Sequence, residues 1–428
     1  MRKFWILILI GLSGAAQAAL PVQTWTAQSG AKVLFVESRS IPMLDVNIDF
    51  DAGGRYDPAD KAGLSDMVSS MLGLGAQDLN EEQIANGFAD VGAQRGNHAD
   101  SDRAGGSLRT LSSKVEREAA VTLFATLLQT PTFPEDVLKR EKERSVAALK
   151  EAETKPEAIA GIAFSKAMYG AHPYGLSAKP GSVAAISRAD IEAFYKANYA
   201  ARRAVVTMIG DISRPEAEAI AEQLTANLPA GATPPVIPPV GTPDAAPKLI
   251  AHPASQAHIL VGAPALKRGD PQYFPLMVGN YILGGGGFVS RLMNEVREKR
   301  GLAYSVYSYF MPLKDEGPFQ IGLQTKKEQS GEALAIVKSV LADYVAKGPT
   351  ETELKAAKDN LVGGFPLRID NNRKILDNLA VIGFYNMPLD YLDTWVANVQ
   401  KVTVAEIKAD FAQRVKPDAL ASVVVGAP

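Results

Sequence analysis

Asp51-Ala52-Gly53-Gly54-Arg55-Tyr56-Asp57-Pro58, followed closely by Lys61-Ala62-Gly63-Leu64-Ser65-Asp66-Met67-Val68-Ser69-Ser70-Met71-Leu72-Gly73-Leu74-Gly75, reads as a Gly-rich turn feeding a helix. Before it, Val33 to Val36 and Leu44 to Phe50 have the period-two pattern of half-buried strands. A strand, a Gly-rich turn and a helix therefore come in that order, and the exposed face of the helix is expected to carry Asp66, Ser69 and Ser70. Further on, Val115 to Leu128 places Val115, Ala119, Leu123 and Leu127 at helical spacing, and Pro134 to Ala152 opens with proline and acidic residues, a helix start. Strands and helices do not alternate strictly. An α+β fold, with an antiparallel sheet and helices packed mainly on one face, fits better than a doubly wound parallel sheet.

From Pro229 to Pro247 seven prolines fall within nineteen residues, a composition that stays extended and joins neither a helix nor a central strand. This stretch divides the chain into halves of similar length and invites a search for a repeat. Pro134-Glu135-Asp136-Val137-Leu138-Lys139 resembles Thr350-Glu351-Thr352-Glu353-Leu354-Lys355, which pairs Leu138 with Leu354 at an offset of 216 residues. Ile191 pairs with Ile407 and Gly210 with Gly426 at the same offset. Helix-start motifs of this kind are common singly, but one spacing shared by three anchors points to duplication. The expected organisation is a signal peptide at 1–18, a first copy at 19–228, a linker at 229–247 and a second copy at 248–428.

Arg2 and Lys3, the apolar run Phe4 to Ile10, and small residues ending in Ala16-Gln17-Ala18 make a secretory signal pattern, with cleavage expected after Ala18. The apolar run falls far short of the ~20 residues a membrane span needs, so no membrane anchor is expected. The chain has no cysteine, which excludes disulfides, lipidated cysteine and thiolate metal sites and fits a bacterial periplasm. With 45 Lys and Arg against 47 Asp and Glu, the charge of -2 offers no footprint for nucleic acid.

In the second half, Ile282-Leu283-Gly284-Gly285-Gly286-Gly287-Phe288-Val289-Ser290-Arg291-Leu292-Met293-Asn294-Glu295-Val296-Arg297-Glu298-Lys299-Arg300-Gly301-Leu302-Ala303-Tyr304-Ser305-Val306-Tyr307-Ser308 is the most distinctive run. On a duplicated frame and in this order, it and the opening stretch resemble the M16 family of zinc metallopeptidases, the pitrilysin and mitochondrial processing peptidase group. The likeness extends over nearly all of the chain after the signal. In active members the first helix bears His-x-x-Glu-His, two imidazoles that bind zinc and a glutamate that activates water. The resemblance maps these onto Asp66, Ser69 and Ser70, none of which does that work, since hydroxyls are poor zinc ligands and Ser69 is no carboxylate base. The family's third ligand, a glutamate on a later helix, maps onto Lys150 in Glu143-Arg144-Ser145-Val146-Ala147-Ala148-Leu149-Lys150, with Glu151 one register away. An arginine and a tyrosine that hold substrate backbone or a developing oxyanion map onto Arg297 and Tyr304, and this pair is intact.

Gly284 to Gly287 is followed by no Gly-Lys-Ser/Thr and has no dinucleotide spacing, so nucleotide binding is not expected. His98, His172, His252 and His258 lie on different segments, with His252 and His258 fitting a loop and a strand, and His98, Asp100 and Asp102 read as a solvated polar edge. The resemblance then implies a periplasmic subunit with no cofactor of its own. It would pair with a zinc-bearing homologue and supply Arg297 and Tyr304 to a shared site that cleaves an extended peptide. The alternative is a pseudopeptidase that only binds peptides or scaffolds an envelope complex. A self-sufficient hydrolase built on Asp66 and the serines ranks last, because no histidine accompanies them.

Overall fold

The chain is described by a computed structural model over residues 21–427, and the expected signal peptide lies outside the described residues. The first half runs β1 (Gln23–Thr26), β2 (Lys32–Glu37), β3 (Met43–Phe50), α1 (Leu64–Met71), a short ribbon of β4 (Gly75–Ala76) and β5 (Leu79–Asn80), α2 (Glu81–Asp90), β6 (Gln94–Ala99), β7 (Ala104–Leu111), α3 (Lys114–Gln129), α4 (Glu135–Ala152), α5 (Pro156–Tyr169), α6 (Pro180–Ala185), α7 (Arg188–Asn198), β8 (Ala204–Gly210) and α8 (Arg214–Thr225). The second runs β9 (Lys248–Ile250), β10 (Gln256–Leu266), α9 (Tyr273–Asn280), β11 (Ala303–Phe310), β12 (Gly317–Lys326), α10 (Ser330–Lys347), α11 (Glu351–Gly364), α12 (Asn372–Phe384), α13 (Tyr391–Lys401), α14 (Val404–Arg414) and β13 (Ala421–Val425).

The first sheet has the order β1-β2-β8-β3-β7-β6 and the second β11-β12-β10-β13-β9. Read from opposite ends, β2-β8-β3-β7-β6 and β9-β13-β10-β12-β11 are the same arrangement. Both sheets are antiparallel except for one pair each, β2 with β8 and β13 with β9. The starts of α3 and α10, α4 and α11, α5 and α12, and α7 and α14 are each separated by 216 residues. The α+β class is the one expected, with those two parallel pairs added.

Helices of each half cover one face of its own sheet. Leu44, Val46, Ile48 and Phe50 of β3 point into the first core with Leu64, Met67 and Val68 of α1. The opposite faces are covered by exchange. From the second half, α12 sets Leu376 and Leu379 against Val36 and Ile209 of the first sheet. From the first half, α5 sets Ala160, Phe164, Ala167 and Met168 against Ala421, Val423 and Val425 of the second. This corrects the half-buried reading of Val33 to Val36: all four are buried, because β2 has a helix layer on both sides. At ~1.5–3 kcal/mol for each large apolar side chain removed from water, the exchanged helices are a major part of what joins the halves.

The inner face of α3 also differs from expectation. Val115 is 74% exposed and Ala119 is exposed too, whereas Leu127 is buried as expected, together with Ala120, Val121, Phe124, Ala125 and Leu128. Val115 stands in the first turn of the helix and is left in solvent, so its match to the apolar spacing has no partner surface. Residues 229–247 form neither helix nor strand, and lie along the surface through bonds from the Ala232 and Asp244 N–H groups to the carbonyls of Ala197 and Ala167.

A polar cluster ties the halves together around Asp102. Its carboxylate accepts from Arg55 Nη1 (3.2 Å), the Tyr174 phenol, the Lys314 N–H (2.8 Å) and the Tyr385 phenol (2.8 Å). Arg55 also reaches Asp315 at 2.7 Å. Burial, with Asp102 adding to it, pushes both phenols well above their usual range, so they remain donors. The solvated edge expected of Asp102 is therefore wrong: it lies in a turn between β6 and β7, fully buried and fully partnered.

Candidate functional site

The N-terminus of α1 is held by Asp57, whose carboxylate accepts from the N–H groups of Gly63 (2.7 Å) and Ser65 (2.9 Å). These bonds satisfy helix-start donors that would otherwise lack partners. Three expected positions then follow within two turns. Asp66 reaches solvent from a recessed surface, and burial, reinforced by the Asp100 carboxylate, pushes its carboxyl up. Ser70 is exposed, with its hydroxyl donating back to the Met67 carbonyl (2.9 Å). Ser69 is not on the exposed face. It is buried, and its hydroxyl donates to the His98 carbonyl on β6 (2.9 Å), because α1 packs against that strand.

Lys150 is exposed on α4 and forms no ion pair or hydrogen bond within the described residues. Its neighbour Glu151 is engaged by Lys155 at 2.6 Å. One carboxylate, two hydroxyls that act as donors to carbonyls and an ammonium do not make a zinc site, which needs imidazole, thiolate or carboxylate lone pairs converging tetrahedrally. No three His, Asp or Glu side chains converge on a metal-sized position among the described residues.

The histidines do not rebuild the chemistry. The His98 imidazole bonds Asp49 at 2.7 Å, and only its backbone carbonyl meets Ser69, so no serine is paired with a base. His172 accepts from the Tyr174 N–H, His252 sits near the Thr154 carbonyl at 3.1 Å, and His258 lies 3.9 Å from Glu157.

Arg297 and Tyr304 are brought together. Arg297 lies on a π-helical turn, Met293–Glu298, and its guanidinium sits over the rings of Phe288 (4.6 Å) and Tyr304 (5.0 Å). Tyr304 is 85% exposed. It stands in a β-bulge, where the pairing of β11 with β12 skips from Ala303 to Val306, and such bulges re-aim side chains out of the sheet. β11 is an edge strand, with one side of its backbone unpaired. A guanidinium held between two rings beside an open strand edge is a fixed donor for a carbonyl or an oxyanion.

The Gly-rich run serves this packing. A Cβ on Gly284 would lie 2.4 Å from Ser308 Oγ, so only glycine lets the loop close on β11. Phe288, immediately after the four glycines, is the second wall around Arg297, and an aromatic residue placed directly after that run is the signal for it in the sequence. The Asp102 cluster has no such signal, because its partners are up to 283 residues away.

Two equivalent α+β units with one degenerate helix and one intact Arg/Tyr pair define a metallopeptidase scaffold without its metal ligands. Residues 32–179 match the family model for insulinase, peptidase family M16, and residues 185–361 match that of the peptidase M16 inactive domain. The crystal structure of a peptidase M16 inactive domain from Pseudomonas fluorescens is 40% identical, with a TM-score of 0.92 over 96% of this chain and 98% of that one. The non-peptidase homolog YmxG of Helicobacter pylori is 28% identical over 95% of this chain and 94% of its own length. The periplasmic protease PqqL from Escherichia coli shares the fold at a TM-score of 0.80 and 14% identity, with 95% of this chain matching 45% of that one. The chain belongs to the M16 peptidase family.

Proposed function

We propose that this chain is a zinc-free periplasmic subunit that pairs with a zinc-bearing M16 homologue and lends Arg297 and Tyr304 to a shared peptide-cleaving site. The observation that carries this reading is the preorganised Arg297/Tyr304 pair on the open edge of β11, in a chain whose own α1 offers no zinc donors. The peptide would add as a strand to the sheet edge, with main-chain bonds supplying affinity. Support comes from the non-peptidase and inactive names of its relatives and from PqqL, a periplasmic protease roughly twice as long, whose single chain has room for a second such unit. The test is to purify the chain alone and with a His-x-x-Glu-His homologue, then measure zinc and cleavage of a quenched peptide. The complex should cleave and the lone chain should not. Arg297→Ala and Tyr304→Phe should each lower kcat about 100-fold, the effect of removing one oxyanion donor elsewhere. Activity unchanged by both substitutions sinks the shared site and leaves the peptide-binding pseudopeptidase.

A further inference from the structure

On the second half, away from Arg297, α9, α13 and the strand ends enclose a recess of about 200 Å³. Much of its wall is apolar, formed by the half-buried rings of Tyr273, Phe274 and Tyr391 with Pro271, Pro312 and Met387. Two side chains of opposite charge lie on its lining without partners. Arg268 makes no side-chain hydrogen bond or ion pair among the described residues, and its Nε is buried and unbonded. Its guanidinium lies over the Tyr385 ring, at 5.3 Å, and its charge also acts on the Tyr391 phenol. Asp390 occupies the position that begins α13, yet its carboxylate caps nothing and meets no cation. The third charged group, Asp270, is neutralised by Arg414 at 2.6 Å.

The remaining N–H groups of the Arg268 guanidinium, which no side chain of the protein engages among the described residues, can give a ligand's carboxylate charge-assisted, bidentate hydrogen bonds. A plain carboxylic acid would meet repulsion from Asp390, and a plain amine repulsion from Arg268. A ligand with both charges and an apolar body satisfies all three parts of the lining. We propose that this recess binds a free α-amino acid with an apolar side chain, its carboxylate on Arg268, its ammonium on Asp390 and its side chain among the aromatic rings. The site lies beside Tyr385, which bonds Asp102, and is independent of whether Arg297 and Tyr304 serve a partner.

The test uses the whole chain with L-phenylalanine, 3-phenylpropionate and phenethylamine as probes, followed by calorimetry and ligand-observed NMR. L-Phenylalanine should bind at least tenfold more tightly than either single-charge analogue. Arg268→Gln should reduce it to the level of phenethylamine, and Asp390→Asn to that of 3-phenylpropionate, with circular dichroism unchanged. Asp390→Asn removes no capping bond, so it keeps the test open if Arg268→Gln fails to fold. No binding of L-phenylalanine at millimolar concentration, equal binding of the three probes, or binding that survives both substitutions would each overturn the proposal.

Discussion

Asp57 shows how a single side chain can both build α1 and make it sensitive to pH. Burial pushes its carboxyl up to about 7, against the two N–H bonds from Ser65 and Gly63, and the nearby Asp66 charge adds to the rise. The native state therefore keeps a proton that the unfolded chain releases near its ordinary value of 3.8. Stability from this group is complete below that value, falls as pH rises, and is lost above about 7. Asp66, raised for similar reasons, acts in the same direction. Asp57→Asn keeps one carbonyl acceptor for the helix start and removes the titration. Thermal melts at pH 4.5, 5.5, 6.5 and 7.5 should show a flatter decline for the variant, and an unchanged slope would rule out Asp57 as its source. The juxtaposition of Arg297 with Tyr304 was legible in the sequence because both lie in one continuous run. The inward turn of Ser69 was not, because it depends on the carbonyl of His98, twenty-nine residues on.

At the level of elements, the 216-residue offset read from Leu138, Ile191 and Gly210 reappears as four pairs of helix starts and one shared strand order. Local signals suffice there, since caps and apolar spacing are properties of a few adjacent residues. The exchange of α5 and α12 is invisible to such signals. Their apolar residues announce burial but not which sheet buries them, because the partner strands lie far away in the chain. Leu379, fully buried on α12 against the first sheet, and Val115, exposed on α3, separate true from apparent apolar faces. Leu379→Ala should cost about 2–5 kcal/mol, since it leaves a cavity between a helix of one half and a sheet of the other. Val115→Thr should stay within about 0.5 kcal/mol. Urea unfolding of both variants checks the contrast, and equal losses would mean that the α12 contact is not a packed core.

At the scale of the whole molecule, the question is what holds two equivalent units in one arrangement. Contacts between domains of one chain are ordinarily modest and polar, and relative motion is then the default. Here each half contributes one helix to the other's sheet, and a buried carboxylate joins Arg55 and Tyr174 of the first half to Lys314 and Tyr385 of the second. The 229–247 stretch should then be dispensable as a tether once folding is complete. A protease site placed at residues 234–236, which are exposed and outside helix and strand, allows the chain to be cut after it has folded. The two fragments should co-elute on size exclusion and melt in one transition, because separating them requires pulling α5 and α12 from opposite sheets at once. Fragments that part in native buffer would show that the linker, and not the exchanged helices, holds the two halves in this arrangement.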